Sequence, residues 1–194
     1  MKKHLKGQRF FSIILASSSE RRIDLLKKGG IEYDIAIPPE VDEKIHSNEL
    51  PKIYAKRMAY KKAKEISKNY NNSIVLAADT VVGCGRKIFP KTDDFETAYS
   101  YLSNLSGRSH KVYGGICMFF PDGTYLERMS ISKVFFKKIN ENEKIDYLKS
   151  NEWIGMAGGY AIQGIASVFV KKIIGSYTNI VGIDIYIVKN LFSR

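Results

Sequence analysis

Apolar positions recur along this chain with two periods, and the period changes at recognisable stop signals. "SIILA", Ser12 to Ala16, is a short continuous apolar run and predicts a buried strand. The segment after it turns Ile23 and Leu26 to one side, offers Ser19 as an N-cap and stops at Gly29 and Gly30, which predicts a helix. "IEYDIAI" alternates, so Ile31, Tyr33, Ile35 and Ile37 would share one face of a second strand. The acidic loop "PPEVDE", Pro38 to Glu43, breaks that pattern. A longer helix opens near Leu50, with Pro51 in the first turn where a missing N–H does no harm. On a helical wheel Ala55, Ala59, Ala63 and Ile66 form its apolar stripe with Met58 at the edge, and Lys62 falls inside the stripe.

"SIVLAADTVVG", Ser73 to Gly83, is nearly all apolar, as in a central strand covered on both faces, but Asp79 and Thr80 interrupt it. "GCGRK" reads as a hairpin turn. Phe95, Ala98, Tyr99, Leu102 and Leu105 then keep helical spacing up to Gly107. Two strands, around "HKVYGGICMFF" and "YLERMSISKVFF", flank a turn at "PDG". Asn140 and Glu143 form a capping-box pair for "EKIDYLKS". A glycine-bearing loop, "GMAGGYAIQG", leads to a strand "SVFVKKI" and a final amphipathic segment ending at "VKNLF". No repeat or linker intervenes, so the pattern predicts one compact α/β unit over residues 1–194.

Composition narrows the class. A chain of 194 residues with 44% hydrophobic content suits a single globular domain. No stretch is long and apolar enough to span a bilayer, so no membrane partner is expected. Cys84 and Cys117 make no metal-ligand spacing and suit a reduced, cytoplasmic interior. The opening "MKKHLKGQRFFSIILASSS" has the outline of a signal peptide. Its apolar core from Phe10 to Ala16 is short and no A-x-A site follows, so residues 1–11 read as a basic leader before the first strand. The net charge of +11 is spread from end to end without a stripe or a binding motif, and does not by itself point to nucleic acid.

Three features carry chemistry. Asp79 puts a carboxylate inside a central apolar strand, which is costly unless it accepts backbone hydrogen bonds, pairs with a lysine or binds metal. Arg21 and Arg22 stand at a helix start, where the dipole disfavours positive charge. Either they are exposed there, with Glu20 supplying the favourable charge, or "SSSERR" after a strand cradles phosphate through backbone N–H groups, hydroxyls and two guanidinium forks. Lys62 on its apolar stripe asks for a buried or cleft-facing anion. With Lys91 shortly after the Asp79 strand and the "EVDE" loop, these residues make a polyphosphate and divalent-metal site.

The ordered set "ILASSSERR", "PPEVDE", "RMAYKKA", "AADTVV", "LSGRSHKVYGGI" and "AGGYAIQGIASVFVKKIIGSYTNIVGI" resembles the Maf family of nucleoside triphosphate pyrophosphatases over almost the whole chain. The resemblance implies a mixed-sheet α/β fold akin to the inosine triphosphatases, with a central cleft, and a homodimer. It implies cleavage of a nucleoside triphosphate to monophosphate and pyrophosphate with a divalent cation, Mg²⁺ or Mn²⁺. "ADTV" and "YAIQG" look like the branch that acts on dTTP and UTP; the same chemistry on CTP or 7-methyl-GTP, or a non-catalytic nucleotide- or nucleic-acid-binding division regulator, are the alternatives. Carried over, Asp79 is the general base, and Arg21, Thr80 and Gln163 set base preference. Ser17, Arg22, Lys62 and Lys91 hold phosphates, while Glu43 and Asp79 bind the metal. An amide at Gln163 can meet both carbonyls and the N–H of a uracil or thymine edge. The chain departs from the family pattern at Glu20 (usually Pro), at "FPKT" (usually Gly-Lys-Pro), at Gly155–Met156 (usually Asp-Lys) and at Asp184 (usually Pro).

Overall fold

The structure, a computed structural model, describes residues 11–192, so the leader expected over 1–11 lies outside it but for Phe11. Seven strands among these residues form one mixed sheet. They are β1 (Ser12–Ala16), β2 (Ile35–Ile37), β3 (Ser73–Cys84), β4 (Lys87–Phe89), β5 (Ser109–Phe119), β6 (Tyr125–Phe136) and β7 (Val170–Ile174). Their order is β2-β1-β3-β5-β6-β7, with β4 paired to β3. β2, β1 and β3 run parallel, and every other pairing is antiparallel.

β3 is buried on both faces, as its apolar run requires. On one face Val75 and Ala77 pack against Ala59, Ala63 and Ile66 of α2 (Pro51–Ser67), and Val81 meets Tyr54, Ala55 and Met58 of the same helix. On the other, Leu76 and Ala78 meet Leu25 and Leu26 of α1 (Glu20–Lys28) and Val188 and Leu191 of α6 (Ile185–Phe192). A further core lies around Val82, Leu102 of α3 (Phe95–Leu105), Tyr147 of α4 (Glu141–Lys149), Trp153 and Phe169. The short helix α5 (Tyr177–Val181) precedes α6.

Two features of β3 position the site. β1 pairs with Ser73–Leu76 and β4 with Val82–Cys84, on the same edge. Residues 77–81 are bonded to β5 on the other edge and face no strand on this one, so the sheet opens beside Asp79. The period of two then sends Asp79 toward α2 and Thr80 toward α5 and α6. α2 also lies unusually close to β5, because a Cβ at Gly115 would sit 2.2 Å from the Ala55 carbonyl oxygen. Only glycine admits that approach.

Several expectations need correcting. The second strand is only Ile35–Ile37. Ile31 turns into the core beside α1 while Ile35 is 50% exposed, and the Asp34 carboxylate takes the Ile13 N–H at 2.7 Å, replacing a ladder bond with a side-chain one. Residues Ile165–Phe169 wind into a 3-10 turn before β7, which puts Ala166 and Phe169, three apart, into the core together. On α3 it is Tyr101, not Tyr99, that joins Ala98, Leu102 and Leu105 on the buried face. Ser19 stands at the N-cap of α1 but its hydroxyl makes no capping bond. The final amphipathic segment is two helices, and Asp184 separates them: its Oδ1 accepts the N–H groups of Tyr186 and Ile187 at the start of α6, and its Oδ2 the Ser130 hydroxyl at 2.6 Å. The capping box of α4 is present in full, and Cys84 and Cys117 are unpaired. Among the described residues no helix is long and apolar enough to cross a membrane.

Candidate active site

The opening in the sheet is centred on a charge cluster that the core cannot hold without pairing. Asp79 is 7% exposed and Lys62, reaching from the buried stripe of α2, also 7%. Lys62 Nζ donates to Asp79 Oδ1 at 2.6 Å and lies 2.7 Å from Glu43 Oε1, so one ammonium joins both carboxylates. Burial raises the Asp79 carboxyl above the usual range, and the Lys62 and Arg22 charges oppose that rise. No described residue donates to Asp79 Oδ2, which leaves one oxygen available to a water or a cation. The acidic loop bearing Glu43 is held against α2 in two places. The Tyr54 hydroxyl donates to the Glu43 carbonyl at 2.8 Å, and Arg57 grips Glu49 through two 2.6 Å bonds.

The cationic wall comes from α1. Arg22 is buried, with Nε on the Gly182 carbonyl at 2.9 Å and Nη1 on the Ser17 hydroxyl at 2.8 Å. Ser17 Oγ also accepts the Ser19 N–H, which shapes the serine loop between β1 and α1. Arg21 is partly buried and touches the Met156 sulfur. Desolvation lowers both guanidinium groups without neutralising them, and it lowers Lys91 too, where Lys62 adds repulsion. Among the described residues Arg21, Arg22 and Lys91 have no carboxylate within ion-pair reach. Three converging cations without acidic partners are what an anion site needs.

The cleft has two connected parts. A polar bay of about 430 Å³ is lined by Ser17, Ser18, Ser19, Glu43, Lys62 and Lys91 among others, a size within the range of small-molecule sites. A narrower pocket runs through the sheet opening, with Asp79 and Thr80 at one side and Tyr160, Ile162, Ile180 and Val181 as an apolar wall. Arg21, Arg22, Lys62, Lys91, Met156 and Gln163 belong to both. The structure therefore brings together every residue singled out in the sequence: Ser17, Arg21, Arg22, Glu43, Lys62, Asp79, Thr80, Lys91 and Gln163. Thr80 lines the narrower pocket, where its hydroxyl donates to the Gly182 carbonyl at 2.9 Å. The same carbonyl holds Arg22. Sequence reading missed this oxygen, since a backbone acceptor has no letter, and missed Tyr160, whose signal was its place in the glycine loop. It also missed the reason for that loop's glycines: Gly158, at φ 73°, packs on Val82, and a Cβ there would come within 2.9 Å of its side chain.

A divalent ion fits the residues present. No group of three or more His, Cys, Asp or Glu side chains among the described residues forms a protein cage. Glu43 and Asp79 instead offer hard-oxygen carboxylates on the one Lys62 ammonium, a donor set that suits an ion taking one or two carboxylates and completing its shell with substrate phosphate and water.

Residues 12–194 match the family described as Maf-like protein. The chain belongs to the Maf family. Among Maf relatives, the protein named dTTP/UTP pyrophosphatase from Paramagnetospirillum magneticum is 47% identical over 174 residues, covering 90% of this chain and 92% of its own. That of Mesorhizobium japonicum, of the same name, is 46% identical over 180 residues, covering 90% of this chain and 86% of its own. Part of this Maf fold also superposes on the Ham1 protein of Staphylococcus aureus, with 17% identity, 64% of this chain and 71% of that one covered, and a TM-score of 0.45.

Proposed function

We propose that this Maf protein is a nucleoside triphosphate pyrophosphatase acting on dTTP and UTP, consistent with the names its relatives carry. The observation that carries the reading is Asp79: a buried carboxylate with one oxygen held by Lys62 and the other unengaged, facing three unpaired cations. In this reading Asp79 takes a proton from a water that attacks the α-phosphorus. The new P–O bond forms as the bond to the bridging oxygen breaks, and pyrophosphate leaves. Lys62, Lys91 and Arg22, with the Ser17 loop, hold the phosphates and the charge that builds on the leaving group, where preorganised cations contribute most. Glu43 and Asp79 would hold Mg²⁺ or Mn²⁺. The ion, when bound, supplies charge neutralisation on the phosphate oxygens and lowers the pKa of a coordinated water.

Arg21 and Gln163 face the narrower pocket and would read the base. The Gln163 amide can donate to a carbonyl and accept the N–H of uracil or thymine. Thr80 lines the same pocket with its hydroxyl bonded to the Gly182 carbonyl, and would join them in setting base preference. The protein would work in the cytoplasm, as a homodimer.

The test is pyrophosphate release from dTTP, UTP, CTP, dATP, dGTP and 7-methyl-GTP with Mg²⁺ or Mn²⁺, alongside Asp79→Asn. Turnover should concentrate on dTTP and UTP and fall about 10²–10⁴-fold in the variant. Near wild-type turnover in a folded Asp79→Asn protein would refute the role of Asp79. Preference for another nucleotide would move the base assignment and keep the chemistry.

A further inference from the structure

The loop that presents Gln163 is tied down at a point the hydrolytic chemistry does not use. His110, on β5, is 2% exposed, and its Nε2 lies 2.7 Å from the Tyr160 hydroxyl. The imidazole, the Tyr160 ring and Phe136 pack edge to face around one another, with centroids 4.9 to 5.4 Å apart. Tyr160 also lines the narrow pocket, three residues before Gln163. Other bonds tie the same loop elsewhere: the Gly155 N–H to the Thr92 carbonyl at 3.2 Å, Arg21 to the Met156 sulfur, and the Ala161 N–H to the Tyr147 hydroxyl at 3.0 Å.

His110 is a costly choice if packing were its only task. Its Nδ1 is buried without a hydrogen-bond partner among the described residues, and a phenylalanine would fill the same aromatic niche with no polar atom to satisfy. Burial pushes its pKa down to about 4 and raises that of the Tyr160 phenol, so both groups are neutral at physiological pH. What imidazole adds over a hydrocarbon ring is a directional bond to one hydroxyl. That hydroxyl fixes how far the Tyr160 side chain, and with it the backbone leading to Gln163, can turn relative to the sheet.

We propose that His110 is a positioning residue for base recognition: through Tyr160 it sets where the loop places the Gln163 amide, and so governs discrimination among triphosphates more than the rate of cleavage. The inference rests on the dTTP/UTP reading above. Tyr160→Phe removes a single oxygen and keeps the ring, His110→Phe removes the other partner, and His110→Gln can restore a hydrogen-bonding group near the place of Nε2, since its amide both donates and accepts. Each is assayed for kcat and KM on dTTP, UTP and CTP, with folding checked by circular dichroism.

Tyr160→Phe and His110→Phe should each raise KM for dTTP and UTP about 3- to 10-fold, the worth of one neutral hydrogen bond. The kcat should stay within about twofold, and kcat/KM on CTP should fall less than on dTTP and UTP, so discrimination narrows. The double variant should lose no more than either single one, and His110→Gln should recover part of the loss. An unchanged dTTP-to-CTP ratio in folded Tyr160→Phe would overturn the proposal, as would an equal loss on every triphosphate. Should His110→Phe not fold, Tyr160→Phe decides alone. A wild-type protein preferring a different base would overturn the dTTP/UTP reading separately, and the latch is then judged on KM for that base.

Discussion

Arg22 shows how much of a site's geometry hangs on a single side chain. Its guanidinium bonds Gly182 and Ser17 with two of its donors, which locks the fork while the rest of its edge faces the cleft. A lysine would keep the charge and lose both the fork and the tie across 160 residues of chain. Arg22→Lys should therefore lower kcat/KM about 10- to 100-fold, mainly through KM, while leaving the fold intact; steady-state kinetics with a melting curve checks both. At this scale the sequence was informative wherever a residue stood against its local rule. Lys62 was legible because an ammonium on an apolar stripe demands an anion, and Asp79 because a carboxylate in a central strand demands a partner. That each was the other's partner was not legible, since seventeen residues and a turn separate them. Thr80 was legible as a polar break in the strand, but its bond to a backbone carbonyl was not.

Among the elements, α2 and β5 form the contact that places Lys62. Their closeness rests on Gly115, and an added methyl group there would meet the Ala55 carbonyl well inside contact distance. Gly115→Ala should destabilise the protein by about 1–3 kcal/mol, the usual cost of overpacking, and should reduce turnover even where the protein remains folded, because α2 must shift and carry Lys62 with it. Urea denaturation and turnover measured on the same preparation test the two parts; an unchanged stability would show that α2 can move away freely. Element type was readable wherever the period was sustained, as in α2, α3 and β3. It failed where short apolar runs fit two readings. Ile165–Phe169 has strand-like composition, yet three-residue spacing puts Ala166 and Phe169 in the core. The strand expected from Ile31 onward shortened because Ile31 found a better-buried place beside α1, and because Asp34 bonded the neighbouring strand with its side chain.

For the whole molecule, the buried imidazole of His110 makes stability depend on pH. Its pKa is about 4 in the fold and about 6.5 in an unfolded chain. The folded state thus holds the ring neutral, and below about pH 6.5 the unfolded state binds a proton that the folded state refuses. Stability from this group is complete above pH 6.5 and is lost as pH falls toward 4, to a total of roughly 3 kcal/mol. Urea unfolding at pH 7.5, 5.5 and 4.5 should show this decline, and His110→Phe should flatten it; an equally steep decline in that variant would assign the effect to other groups. Asp79 acts in the opposite sense. Its carboxyl is raised by burial, so its charge is a cost that grows as pH rises through its folded pKa, as the site's electrostatics require.

Local sequence determined the longer elements and most of their buried faces, because backbone propensity, capping and the two hydrophobic periods act within a few residues of each other. It also marked the residues that could not be there for packing alone: two arginines at a helix start, a lysine on an apolar stripe and an aspartate in a central strand. Tertiary structure alone decided that β1 and β4 would share one edge of β3 and leave it open beside Asp79. It alone brought Gly182, far along the chain, to bond Arg22 and Thr80, and His110 to hold the loop of Gln163. Those contacts depend on strand order and on backbone atoms, and neither is written in the identity of any one residue.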